Sequence, residues 1–222
     1  MKHIPLALII FRFVAAPIIF FLSYFFRELA VPIILLLMYL GLISDILDGI
    51  IARKYQVATA TLRRLDSQAD MLFWLSIGIA TWLIYPELIL DHIVEVRILL
   101  GLEVFCYVLS LVKFKRESAS HAFLSKLWGL TLLAVFTSML GFYYAGTVFY
   151  CSLIVGYIAH IDRLLITLLL PQWTHDVPSS YYAYLIRKGI SFKRNPYLNQ
   201  GTLCRYPITT LLLNIKFQIT PL

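Results

Sequence analysis

DILDGIIARKYQVATATLRRLDSQAD, residues 45–70, carries four of the chain's 12 acidic residues: Asp45, Asp48, Asp66 and Asp70. Most of the remaining sequence is apolar, so carboxylates gathered at apparent helix ends need a reason. Asp45 and Asp48 are three positions apart, Asp66 and Asp70 four. Either spacing puts both members of a pair on one face of a helix. Two such pairs, brought face to face, offer hard oxygen ligands to one or two divalent cations.

The flanking sequence says where these helices sit. Of 222 residues 60% are hydrophobic and only 14% charged, with a mean hydropathy of +0.82. A soluble domain of this size needs far more polar surface, which makes this an integral membrane protein. A helix spans a bilayer with roughly 20 apolar residues. Runs that qualify lie near 5–26, 30–50, 68–90, 96–112, 122–146 and 147–170. The expectation is an all-α membrane protein of six transmembrane helices, the first two and last two forming hairpins. Continuous runs of this kind exclude a β-barrel. The first run is too long for a secretory signal and continues through Pro17 without a small-residue cleavage site, so it is read as a retained helix. Cys106, Cys151 and Cys204 show no CxxC spacing, which points to neither a zinc site nor a disulfide framework.

The net charge of +7 is not a nucleic-acid signature. Basic residues fall in alternate connections, the positive-inside pattern. Arg53, Lys54, Arg63 and Arg64 follow the second run, Lys113, Lys115, Arg116 and Lys126 surround the fourth connection, and Arg187, Lys188, Lys193 and Arg194 follow the last run. The opposite connections carry only Arg27 and Arg97. The four aspartates are therefore expected on the cytoplasmic side. Residues 1–170 form the expected six-helix catalytic domain, and 171–222 a cytoplasmic or interfacial tail whose last 23 residues suggest no role.

Each polar residue has a plain reading beside a chemical one. Arg12, within the first turns of the first run, is either a snorkelling arginine reaching headgroups or a cation near a substrate phosphate. Asp45 and Asp48 would repel each other in a membrane helix, and bound cation relieves that cost. A helix N-terminus would account for Asp66 alone; Asp70 lies one turn deeper beside MLFWL and is the candidate base. Arg53 can give a fork of donors to phosphate, while Lys54, Arg63 and Arg64 read as lipid-facing charge. Arg116, His121 and Lys126 suit an anion pocket. Glu103 is expected to pair with a polar group on a neighbouring helix, and His160, Asp162 and Arg163 to form an internal polar cluster.

Two divalent ions bridged by carboxylates can clamp a diphosphate during substitution at phosphorus. A free carboxylate can take the proton of an attacking alcohol. The same residues resemble the CDP-alcohol phosphatidyltransferase family, whose motif reads D-x2-D-G-x2-A-R-x8-G-x3-D-x3-D. Asp45, Asp48, Gly49, Ala52, Arg53, Asp66 and Asp70 stand in that register, with Leu62 at the second glycine. The family's helix-one pattern P-N-x-L-T-x-x-R-x4-P is kept at Pro5, Arg12 and Pro17 but not at its Asn or Thr.

The resemblance implies a six-helix fold, usually a homodimer, that transfers a phosphatidyl group from a CDP-linked lipid, CDP-diacylglycerol above all, to an alcohol with release of CMP. It implies magnesium (or manganese), two ions, on Asp45, Asp48, Asp66 and Asp70, with Asp70 as proton acceptor. Gly49, Ala52, Arg53 and Thr59 fall to the donor's nucleotide. The site would face the cytoplasm, across the inner membrane in a bacterium. A cation transporter using the same aspartates, and an inactive scaffold, are the rival readings; the first has no need of Gly49 or Arg53, and the second rests on Leu62.

Overall fold

A computed structural model describes residues 4–55, 59–116, 123–174 and 177–190, leaving aside the side chains of Arg53 and Ala60. Among the described residues there is no strand. The helices are α1 (Ile4–Phe26), α2 (Val31–Lys54), α3 (Ala60–Ile84), α4 (Pro86–Leu90), α5 (Ile93–Phe114), α6 (Phe123–Phe142), α7 (Thr147–Leu169) and α8 (Ser180–Arg187), and a 3-10 turn, Arg27–Ala30, joins α1 to α2. Pro17 is accommodated inside α1, which runs unbroken.

Four stretches are long and apolar enough to cross a membrane: Ile4–Ala52, Thr61–Ile84, Phe123–Phe142 and Thr147–Leu169. The first takes in both α1 and α2. The fourth expected crossing, α5, is as long as the others but carries Glu95, Arg97, Glu103 and Lys113, which keeps it out of that apolar set.

The surface is inverted relative to a soluble protein. Val14, Phe21, Leu36, Val104, Ile154 and Leu168 face outward, whereas Arg12, Asp48, His160 and Asp162 are buried. In lipid that is the favourable arrangement, because charge is costly there and apolar surface is not.

Side-chain pairs fix how the helices run. Leu35 lies beside Gly141, and Tyr39 bonds Thr137 through their hydroxyls at 3.0 Å, so α2 and α6 are antiparallel. Trp74 stacks on Phe136 and Tyr85 meets Tyr143, so α3 and α6 are parallel. Trp128 meets His160 and Thr131 meets Ser152, so α6 and α7 are antiparallel. Glu103 meets His160 while Lys113 Nζ donates to the carbonyls of Thr167 and Leu168 at 2.8 Å, so α5 and α7 are parallel. The chain thus reverses at each long connection. The α2–α3 and α5–α6 connections and the start of the tail gather at one end. Phe123 N donating to Pro178 O at 3.0 Å and Arg116 over the Trp173 ring tie that end together.

α1 packs on both α2 and α3, around a core of Ile19, Ile34, Met38, Phe73, Ile77 and Leu140. α5, α6, α7 and α8 form a second group, and α6 joins the two.

Candidate active site

The two acidic pairs do meet. α2 delivers Asp45 and Asp48, α3 delivers Asp66 and Asp70, and Arg12 of α1 lies between them. Arg12 Nη1 donates to Asp45 Oδ1 at 3.2 Å and to Asp70. Its Nη2 donates to Asp48 and to Asp66 Oδ1 at 2.7 Å. Each terminal nitrogen therefore bridges one aspartate of α2 and one of α3. Arg12 has 0% of its surface exposed, and its Nε has no partner among the described residues. Both readings offered for Arg12 placed it among phosphates, of lipid or of substrate; in the structure it is held by carboxylates.

The helix bearing Asp66 and Asp70 begins earlier than the sequence suggests. Thr59 caps it, its hydroxyl accepting from Leu62 N at 3.2 Å, and Ala60 opens the first turn. Residues 60–67, which lie before the apolar run near 68–90, are helical, because Leu, Arg and Ala are good helix formers and Thr59 satisfies an end N–H. Asp66 and Asp70 are consequently the seventh and eleventh residues of α3, too deep for either to cap it. Thr59, assigned by resemblance to the nucleotide, spends its hydroxyl on that cap.

The four carboxylates differ in access. The Asp48 side chain is 4% exposed and that of Asp66 17%, against 38% for Asp45 and 34% for Asp70. They open on a cleft of 1190 Å³ whose near wall includes Gly49, Ala52, Leu62 and Ser67. Leu62, the departure from the motif, thus borders the space beside the aspartates. Lys126 lines the same cleft. Arg116 does not, its guanidinium lying over Trp173. The Arg53 side chain and all of His121 lie outside the described residues, as does everything beyond residue 190.

The residues present fit a divalent cation. Asp45, Asp48 and Asp66 each offer an oxygen, and the three atoms lie within 4.8 Å of one another. Oxygens so spaced can share one ion at about 2.0–2.6 Å. One guanidinium faces four carboxyl groups, which leaves a cluster that attracts cations.

The far wall of the cleft holds a second polar group that the sequence showed only in pieces. Glu103 Oε2 accepts from Arg163 Nη2 at 2.6 Å and pairs with His160 Nε2 at 2.9 Å. The other ring nitrogen of His160 lies 2.6 Å from the Gly156 carbonyl. The expected cluster of His160, Asp162 and Arg163 therefore divides. Asp162 instead accepts from Ser180 N at 2.9 Å, at the start of α8. Glu103→Gln is expected to cost about 2 kcal/mol, the scale of hydrogen bonds to charged groups, because the half-buried Arg163 loses its charged partner. Thermal melting of the purified variant measures this.

A membrane-embedded helical protein with two acidic helix pairs converging on an open cleft is the class defined so far. The CDP-alcohol phosphatidyltransferase family model matches residues 2–168, and the chain belongs to that family. Among curated proteins it is similar to the CDP-diacylglycerol–glycerol-3-phosphate 3-phosphatidyltransferases of Rickettsia typhi, 35% identical over 100 residues (45% of this chain, 53% of the relative), and of Rickettsia prowazekii, 34% over 99 residues (45% and 51%). The chain's match thus spans about half the length of these curated relatives. No solved structure matches it.

Proposed function

We propose that the protein is a divalent-cation-dependent enzyme that transfers the phosphatidyl group of CDP-diacylglycerol to an alcohol, releasing CMP, in phospholipid synthesis. The names of the two relatives make glycerol 3-phosphate the first acceptor to test. The observation that carries this reading is the convergence of Asp45, Asp48, Asp66 and Asp70 at the mouth of one cleft. Asp45, Asp48 and Asp66, with Asp70 beside them, are the residues to hold magnesium or manganese, up to two ions, whose charge would offset that of the diphosphate.

The chain's own groups supply the rest. Asp70 is open to the cleft and takes the proton of the acceptor hydroxyl. The hydroxyl oxygen attacks the phosphorus that bears the diacylglycerol. As that P–O bond forms, the bond to CMP breaks, and CMP leaves with the electron pair. Gly49 and Ala52 leave backbone room for the nucleotide, and Arg53 is assigned to its phosphates. Lys126, which lines the cleft, is assigned with Arg116 and His121 to an anionic acceptor. The alternation of helix directions supports six crossings, with the basic connections and the aspartates facing the cytoplasm. Residues 1–170 are the catalytic unit, which functions as a homodimer, and 171–222 are its interfacial tail.

Leu62 favours a second reading, altered donor choice or lost activity, because it stands beside the aspartates where the motif has glycine. One assay separates these readings. Purified protein is given CDP-diacylglycerol and a panel of alcohols, glycerol 3-phosphate included, with and without magnesium. Magnesium-dependent CMP release is expected with one acceptor. No release with any acceptor sinks the assignment.

A further inference from the structure

We infer that Arg12 is a displaceable counter-cation of the aspartate site: it holds the four carboxylates together without divalent cation and is driven off them when cation binds. This rests on the reading of the aspartates as a divalent-cation site.

Three observations lead to it. Arg12 is fully buried, so its charge has no water to lean on and must be met by protein. All four aspartates meet it, one from each helix on each terminal nitrogen, a clasp between α2 and α3 rather than a simple ion pair. Finally, its Nε has no partner among the described residues, so there only the fork is engaged and the side chain is not locked by every donor.

Now add a divalent ion. Asp45, Asp48 and Asp66 are the three carboxylates close enough to share it, and all three are already bonded to the guanidinium. Each cation repels the other at this range, in surroundings that screen poorly. The ion and Arg12 therefore compete for one set of carboxylates. By linkage, whatever Arg12 contributes to the cation-free site is lost from cation affinity. Preorganisation alone would predict the opposite, that losing Arg12 slackens the site and weakens binding. Arg12 is thus a positioning residue, acting through the aspartates. The aspartates it leaves line the cleft, so a released guanidinium stands next to that space, where substrate phosphates are its natural partners.

The test compares wild type, Arg12→Gln and Arg12→Lys, purified in detergent, by thermal melting in EDTA and across a magnesium titration. Arg12→Gln is expected to melt lower than wild type in EDTA and to approach it in saturating magnesium. Its half-saturating magnesium concentration is expected to fall by about tenfold, a coupling of ordinary size. Arg12→Lys keeps one charge but cannot reach four carboxylates together, so it should shift the same way by less. It decides the matter if the glutamine variant does not fold. Magnesium binding by the variant that is equal to or weaker than wild type overturns the inference, whatever happens to the melting temperature. If wild type itself shows no magnesium response, the cation-site reading fails first and this inference falls with it.

Discussion

Asp70→Asn is expected to lower CMP release by a factor on the order of 10² to 10⁴, the usual contribution of a positioned general base, while leaving the protein folded. Asparagine keeps the shape of the side chain and an oxygen able to accept from Arg12, so the junction of α1 with α3 survives. What it lacks is basicity. Asp70 suits the base role better than Asp48 or Asp66 because its side chain is 34% exposed, against 4% and 17% for theirs, and better than the equally open Asp45 because Asp45 belongs to the trio that can share a cation. Two measurements separate a chemical role from a structural one: single-turnover CMP release, and the melting temperature of the same preparation. Release at the wild-type rate would remove Asp70 as the base.

Gly41→Val should cripple the protein from outside the site. A β-carbon at Gly41 collides with the ring of Phe73, which is 1% exposed and enclosed by Ile34, Met38 and Ile77. With no space for the ring to turn into, the helices must part. Overpacking of this kind costs about 1–3 kcal/mol for modest additions, and valine adds three carbons. The damage reaches the chemistry because Gly41 lies one turn before Asp45 and Phe73 just after Asp70, so a wedge there spreads the acidic pairs. A lowered melting temperature and lost CMP release are expected together. Gly41→Ala combined with Phe73→Leu should recover much of both, since the smaller side chain makes room for the added carbon. A fully active, unshifted Gly41→Val protein would show that α2 and α3 need not approach this closely.

Much of this was legible in residues 45–70. The three- and four-residue spacings of the aspartates place each pair on one helix face whatever surrounds it, and the apolar runs give the helices. What escaped was set by contacts distant in sequence. Arg12 meets aspartates 33 to 58 positions away, and nothing local distinguishes it from a headgroup-seeking arginine. Glu103 was expected to pair across helices, yet its partners, 57 and 60 positions on, depend on the parallel run of α5 and α7. Asp162 does not join the expected cluster with His160 and Arg163 but accepts from Ser180 N, because near neighbours on a helix point in different directions. The start of α3 lies before the apolar run near 68–90 because hydropathy does not register the polar first turns, although Thr59 offers a capping signal.

The four acids and their arginine all come from α1, α2 and α3, the first 84 residues. The opposite wall comes from α5, α6 and α7. On the proposed reaction, selectivity and reactivity would then be housed in separate stretches of chain, so exchanging side chains around Trp128 or Arg163 is expected to retune which alcohol is admitted while leaving all four aspartates in place.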